Sequence, residues 1–109
     1  MSYSVKISEE ADADLEGIFE YIAFGLQSLQ TAEGQLSRLE KAILSLDHMP
    51  GRFRLYGHEP WFSLGLHSMP VDHYCVFYIP DAGEKMVNVV RVLYGGRDID
   101  AELAKHAAE

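Results

Sequence analysis

At 109 residues the chain has room for one domain with a core of its own, needing neither metal nor disulfide to fold. Its single cysteine, Cys75, excludes an intrachain disulfide, and no apolar run approaches the ~20 residues that span a bilayer. Nine basic against seventeen acidic residues give a net charge of −8, which disfavours phosphate-neutralising nucleic-acid binding by the chain as a whole.

The start of the chain carries no basic-then-apolar signal pattern, so a cytoplasmic location is expected. Tyr3, Val5 and Ile7 alternate with Ser4 and Lys6, which predicts a half-buried strand. Ser8 then offers a helix N-cap, with Glu9 and Glu10 on the positive end of the helix dipole. Ala11, Leu15, Ile18, Ile22 and Leu26 form an apolar stripe at steps of four and three, and Gly25 lies near the helix end. The helix has no basic residue, although Glu9, Glu10, Asp12, Asp14, Glu16 and Glu20 crowd it.

Leu29, Ala32, Leu36, Leu39, Ile43 and Leu46 predict a second helix from about residue 29 to 46. Two amphipathic helices on a short link make an αα-hairpin that packs on a sheet; the stripe is too short for a coiled coil. Pro50 ends the second helix, and Arg52 to Pro60 reads as a loop or a poorly formed strand. Trp61 to Met69 is expected to be a strand with Gly65 at a bulge. Val71 to Ile79 is a strong strand, with His73, Cys75, Phe77 and Ile79 on one face. Asp81 to Glu84 is a hairpin turn. Met86 to Tyr94 is nearly continuous apolar, as in a central strand buried on both faces. Gly95-Gly96 breaks it, and Asp98 caps a short last helix with Ile99, Leu103 and Ala107.

The predicted fold is therefore a single α+β domain. A small antiparallel sheet, made of the N-terminal strand plus a three-strand C-terminal meander, is covered on one face by the αα-hairpin, with a short C-terminal helix.

Three stretches resemble the RelE/ParE toxin superfamily of type II toxin–antitoxin systems, the plasmid-stabilisation proteins. Ala11, Asp14, Leu15, Ile18, Tyr21 and Ile22 match its "A-x-x-D-L-x-x-I-x-x-Y-I" helix. Val71 to Ile79 is similar to its "V-x-x-Y-x-V-F-Y" strand, and Val89 to Ile99 to its "I-x-R-V-L-Y-G-R-R-D-I" ending. The resemblance implies a toxin held inactive by a co-expressed antitoxin, as a hetero-oligomer, and is compatible with a homodimer. It leaves two activities open: ParE-like inhibition of DNA gyrase, and RelE-like cleavage of mRNA on the ribosome without a metal. A degenerate toxin that only binds its antitoxin is a third reading.

Metal-free RNA cleavage needs a base, an acid and a cation for the charged phosphorane. The resemblance puts Arg97 at the family's arginine after the last strand, and His67 where arginine often stands. The family's late tyrosine falls near Leu103, and its paired lysines are missing, with only Arg52 and Arg54 nearby. The candidate catalytic set for that reading is Arg97, His67, His73 and Arg54. These departures favour target inhibition, for which Trp61, Phe62, Arg52 and Tyr94 are the candidate partner contacts. His48, His58 and His106 show no ligand spacing, so no metal and no cofactor is expected. Tyr74, Tyr78 and Tyr94 recur at strand spacing, as sheet packing or as stacking platforms. Arg91, within a buried strand, is expected to pair with a carboxylate, and Arg97 to pair with Asp98 or Asp100 if it is structural.

Overall fold

The computed structural model describes residues 2–107; His106 and Ala107 are described in backbone only, so their side chains lie outside the described residues. Strand β1 (Ser4–Ile7) leads into helix α1 (Glu9–Glu20). The Ser8 side chain accepts the Ala11 N–H at 3.0 Å, as an N-cap should, and Ala11 and Leu15 turn inward. The helix then widens into a π-turn (Tyr21–Gly25) that buries Ile22 and Ala23. One extra residue in the turn rotates the next positions off the apolar stripe. Leu26 is accordingly 58% exposed rather than buried, and Gln27 ends the turn at φ 56°.

Helix α2 (Leu29–Leu44) starts at Ser28, whose side chain accepts the Thr31 N–H at 3.4 Å. Ala32, Leu39, Ile43 and Leu46 are buried as the periodicity requires. Leu29, in the first turn at the hairpin tip, is 54% exposed, a second departure from the expected seam. Arg52 closes the far end by donating to the carbonyls of Ser45, His48 and Met49.

The expected strand from Trp61 is corrected: its first part is a helical turn, α3 (Trp61–Leu64). Glu59 receives the Ser63 N–H at 2.9 Å and the Ser63 hydroxyl at 2.7 Å, and Gly65 ends the turn in the left-handed region at φ 81°. Gly65 is thus a helix terminator, not a bulge. Strand β2 (His67–Val71) comes next, and Asp72-His73 form a tight turn into β3 (Tyr74–Asp81). His73 therefore sits exposed in a turn rather than on the face of Phe77 and Ile79. Strand β4 (Met86–Tyr94) and helix α4 (Ile99–Ala107) complete the chain.

The sheet order is β1-β4-β3-β2. Strands β2, β3 and β4 form the antiparallel meander; β1 joins β4 in parallel, so the sheet is mixed. Phe77 faces Arg91 and Tyr78 faces Val89, so Val90 is an extra residue in β4. The bulge sends Val89 and Val92 to the hairpin face, and Val90 and Leu93 to the other. That is why this strand reads as continuously apolar. The first core holds Leu15, Leu39, Ile43 and Tyr78 beneath the hairpin. The second holds Trp61, Leu66, Phe77 and Leu103 beneath α3 and α4. No helix among the described residues is long and apolar enough to cross a membrane.

Candidate functional site

Two sheet ends converge beside the hairpin tip. Gly95-Gly96 stops β4 just after Tyr94, and the Asp72-His73 turn starts β3 at Tyr74. The Gly95 N–H donates to the His73 carbonyl at 2.8 Å, and a Cβ on Gly95 would approach that oxygen to 3.3 Å. Asp72 adopts φ 55° and is anchored from α2: buried Gln35 donates to it at 3.0 Å and Arg38 at 2.8 Å. The Arg38 bond, with help from Gln35, holds the Asp72 carboxyl below its usual range. The turn that carries His73 is therefore fixed to both α2 and β4.

Between these ends and α1 lies a groove of about 790 Å³. Tyr21, Ile18, Ile22 and Leu26 form one wall, and His73, Tyr74, Tyr94 and Arg97 the other. Tyr74 and Tyr94 meet edge-on with ring centroids 5.9 Å apart. Burial, then the nearby Tyr94 and Tyr21, raise the Tyr74 pKa, so the ring stays neutral. Tyr21, Leu26 and Tyr94 of the lining are more than half exposed, as are Phe24 and Leu29 of the hairpin.

Asp14 lies at the floor. Its carboxylate takes Arg91 in a fork, 2.7 Å from Nε and 2.8 Å from Nη2, and also accepts the Val92 N–H at 2.9 Å. These bonds raise the Arg91 pKa further and keep the guanidinium charged. Arg91 pairs with a carboxylate, as its place in a buried strand requires. Arg97 pairs with Glu102 of α4, at 2.9 Å, and not with Asp98 or Asp100. Glu102 is buried and also holds Lys105 at 3.0 Å, with Arg91 at 3.7 Å. The Lys105 bond is the main cause that lowers its pKa.

The candidate residues divide into separate places. His73, Tyr94 and Arg97 share the groove; His67, Arg54, Arg52, Trp61 and Phe62 do not line it. His67 opens β2, its ring stacked on Tyr78 at 5.4 Å and its Nδ1 2.9 Å from the Gly65 carbonyl. Arg54 is exposed in the loop, where its carbonyl accepts the Ser68 N–H at 3.0 Å. Trp61 is 7% exposed in the second core, which leaves it no surface for a partner, whereas Phe62 is 48% exposed. Sequence reasoning missed Asp14, Tyr21, Gln35 and Glu102 as site residues. A signal for Asp14 was present, since it is the acid of the helix motif, three residues after Ala11. A second cluster joins Asp100 to the loop: the Tyr56 hydroxyl donates to it, and His58 Nδ1 lies 2.8 Å away. Among the described residues, no group of three or more His, Cys, Asp and Glu is placed to hold a metal.

Comparison with known proteins agrees with this fold. Residues 5–99 match the family model described as the ParE toxin of the type II toxin–antitoxin system parDE. No curated protein sequence matches significantly. Among solved structures, the chromosomal ParDE system from P. aeruginosa aligns with a TM-score of 0.71 at 14% identity, over 85% of this chain and 96% of that one. The RelBE2 toxin–antitoxin complex from Mycobacterium tuberculosis aligns at 0.64 and 20% identity, over 86% and 92%. The RelE–RelB complex from Pyrococcus horikoshii aligns at 0.63 and 18% identity, over 89% and 99%. At these identities the structural likeness speaks for the fold, while the family match spans most of the sequence. The chain belongs to the ParE toxin family of type II toxin–antitoxin systems.

Proposed function

We propose that this toxin acts by gripping a protein target, in the ParE manner, with DNA gyrase as the target and a co-expressed antitoxin as its neutraliser. The observation that carries this reading is the groove itself. It is an apolar surface lined by Tyr21, Tyr74 and Tyr94, and its two charged residues, Asp14 and Arg97, are both engaged in ion pairs. Such a surface suits burial against another protein, where aromatic anchors supply most of the binding energy. An antitoxin partner is supported by the ParDE and RelBE systems whose toxins share the fold.

Ribosome-dependent mRNA cleavage draws on one observation, that His73 and Arg97 share a groove. His67 and Arg54, the other residues that reading needs, lie outside it. The two readings separate in one experiment with the purified chain. Target inhibition requires loss of gyrase supercoiling activity, relieved by Tyr94→Ala. Cleavage of mRNA at ribosome-bound codons, abolished by His73→Ala and with gyrase unaffected, would replace it. A folded chain that binds an antitoxin but neither inhibits growth nor gyrase would be a degenerate toxin.

A further inference from the structure

The hairpin has a second groove, on its outer side, that the proposed function does not use. Its apolar lining is half-buried Phe19 and Leu36 over buried Leu15, and its walls are Asp12, Glu16, Glu20 and Glu40, enclosing about 270 Å³. Five of these residues follow one another on α1 at positions 12, 15, 16, 19 and 20, so apolar and acidic positions form adjacent stripes along the helix. Carboxylates with Lys or Arg one turn away on a helix satisfy one another's charge. Here α1 carries no basic residue, and no Lys or Arg lines the groove. Arg38 of α2 is turned to Asp72 instead. Among the described residues, none of the four wall carboxylates makes an ion pair.

We infer that this groove docks a basic amphipathic helix of a partner protein, which lays apolar side chains on half-buried Phe19 and Leu36 and places Lys or Arg on the four carboxylates. Charge decides between the occupants of an apolar groove. A second copy of a chain with net charge −8 would set carboxylates against carboxylates. A nucleic acid or an anionic membrane meets the same repulsion. A helix with cations flanking an apolar stripe gains from both parts of the surface at once. The groove runs from Asp12 to Glu20, about 12 Å of helix axis, so it reads roughly two turns of the partner. This site is distinct in residues from the Tyr21–Tyr94 groove and stands or falls without the gyrase reading.

The test is titration of the full chain with a synthetic amphipathic helix of leucines and lysines, followed by backbone amide shifts. Two control peptides accompany it, one with glutamate in place of lysine and one with serine in place of leucine. The expected result is binding of the first peptide alone, with shifts centred on Asp12–Glu20 and on Leu36–Glu40. Affinity should fall about tenfold or more from low to moderate salt, and likewise in the double variant Glu16→Lys/Glu20→Lys, both positions being exposed enough to leave the circular dichroism unchanged. Equal binding of the lysine–serine peptide would reduce the groove to simple charge attraction and overturn the inference. So would binding of the leucine–glutamate peptide, shifts confined to the Tyr21–Tyr94 groove, no binding at all, or a self-association of the chain that the double variant abolishes.

Discussion

Asp14 and Arg91 are held in a two-point ion pair, 2.7 and 2.8 Å, between the first helix and the central strand, with both side chains nearly withdrawn from solvent. They are charged residues from two separate motifs, 77 positions apart, and the fold brings them together. The same carboxylate accepts the Val92 N–H, so α1, β4 and the groove floor share one fixed point.

Removing Asp14 takes the two-point partner from a buried guanidinium and leaves it the longer contact to Glu102 at 3.7 Å. We expect Asp14→Ala to cost about 3–5 kcal/mol, read by urea unfolding. The double variant Asp14→Ala/Arg91→Met should be less destabilised than Asp14→Ala alone. If it is more destabilised, the pair is not the source of the effect.

Tyr94 is half exposed, so its substitution tests binding rather than folding. Tyr94→Ala should change stability by less than about 1 kcal/mol and relieve growth inhibition on induced expression. Arg97→Ala is also expected to stay folded, because a half-exposed pair with Glu102 contributes at most about 1 kcal/mol.

Gly96 offers a way to move Tyr94 without replacing it. A Cβ at Gly96 would meet the Tyr94 ring at 2.6 Å, and the exposed ring can swing away. Gly96→Ala should therefore alter thermal stability little while weakening growth inhibition in the same direction as Tyr94→Ala. Normal toxicity in a folded Gly96→Ala variant would show that the position of Tyr94 is unimportant.

Helix α4 is fastened by carboxylates with lowered pKa values. The Tyr56 hydroxyl, then His58, lower that of Asp100; Lys105 leads in lowering that of Glu102. A carboxylate whose pKa falls on folding contributes its stability above the unfolded value and loses it as pH drops through the folded one. Stability should therefore decline from about pH 4 downward. The variant Asp100→Asn/Glu102→Gln should be less stable at neutral pH and show a shallower acid slope. An unchanged slope would mean that other carboxylates govern the acid transition.

At the alkaline side, burial pushes the Tyr78 phenol up to about 12, and its hydroxyl donates to the Pro50 carbonyl. A raised phenol pKa contributes stability below the unfolded value of about 10 and loses it as pH rises through the folded one. Ultraviolet titration should show one fewer tyrosine that resists ionisation until the chain unfolds in Tyr78→Phe than in the unsubstituted chain, since Tyr56 and Tyr74 are raised as well. That variant should cost about 1–2 kcal/mol by leaving a buried carbonyl unpaired.

Much of the fold was legible because its signals are periodic. Steps of three and four placed α1 and α2, and a nearly continuous apolar run placed β4 at the centre of the sheet. The failures have local causes. Leu26 keeps the spacing of the first stripe, but the π-turn before it shifts the phase and leaves it outside, and Leu29 is exposed in the first turn of α2 at the hairpin tip. Trp61 to Leu64 has strand-like composition, yet Glu59 and Gly65 supply a start and a stop for a helical turn. His73 alternates correctly with Cys75 and Phe77, but the positive φ of Asp72 turns the chain just before it. Of the candidate site, Arg97, His73 and Tyr94 converge, while the identity of Arg97's partner depended on how α4 lies over the sheet. That docking rests on contacts of Ile99 and Leu103 with residues far earlier in the chain, which spacing does not reveal.

The Asp14 carboxylate has one more effect, on how the sheet behaves toward other chains. Strand β1 stops at Ile7, so among the described residues no strand pairs with that side of β4 beyond Val89. Ser8 donates its hydroxyl to the Val90 carbonyl, and Asp14 accepts from Val92, so side chains of the first helix and its cap occupy backbone positions that a foreign strand would seek. Strand addition at that border requires eviction of Asp14, which also strips Arg91 of its fork. The toxin can thus keep an open, tyrosine-lined groove beside a sheet margin without polymerising through it while it waits for a partner.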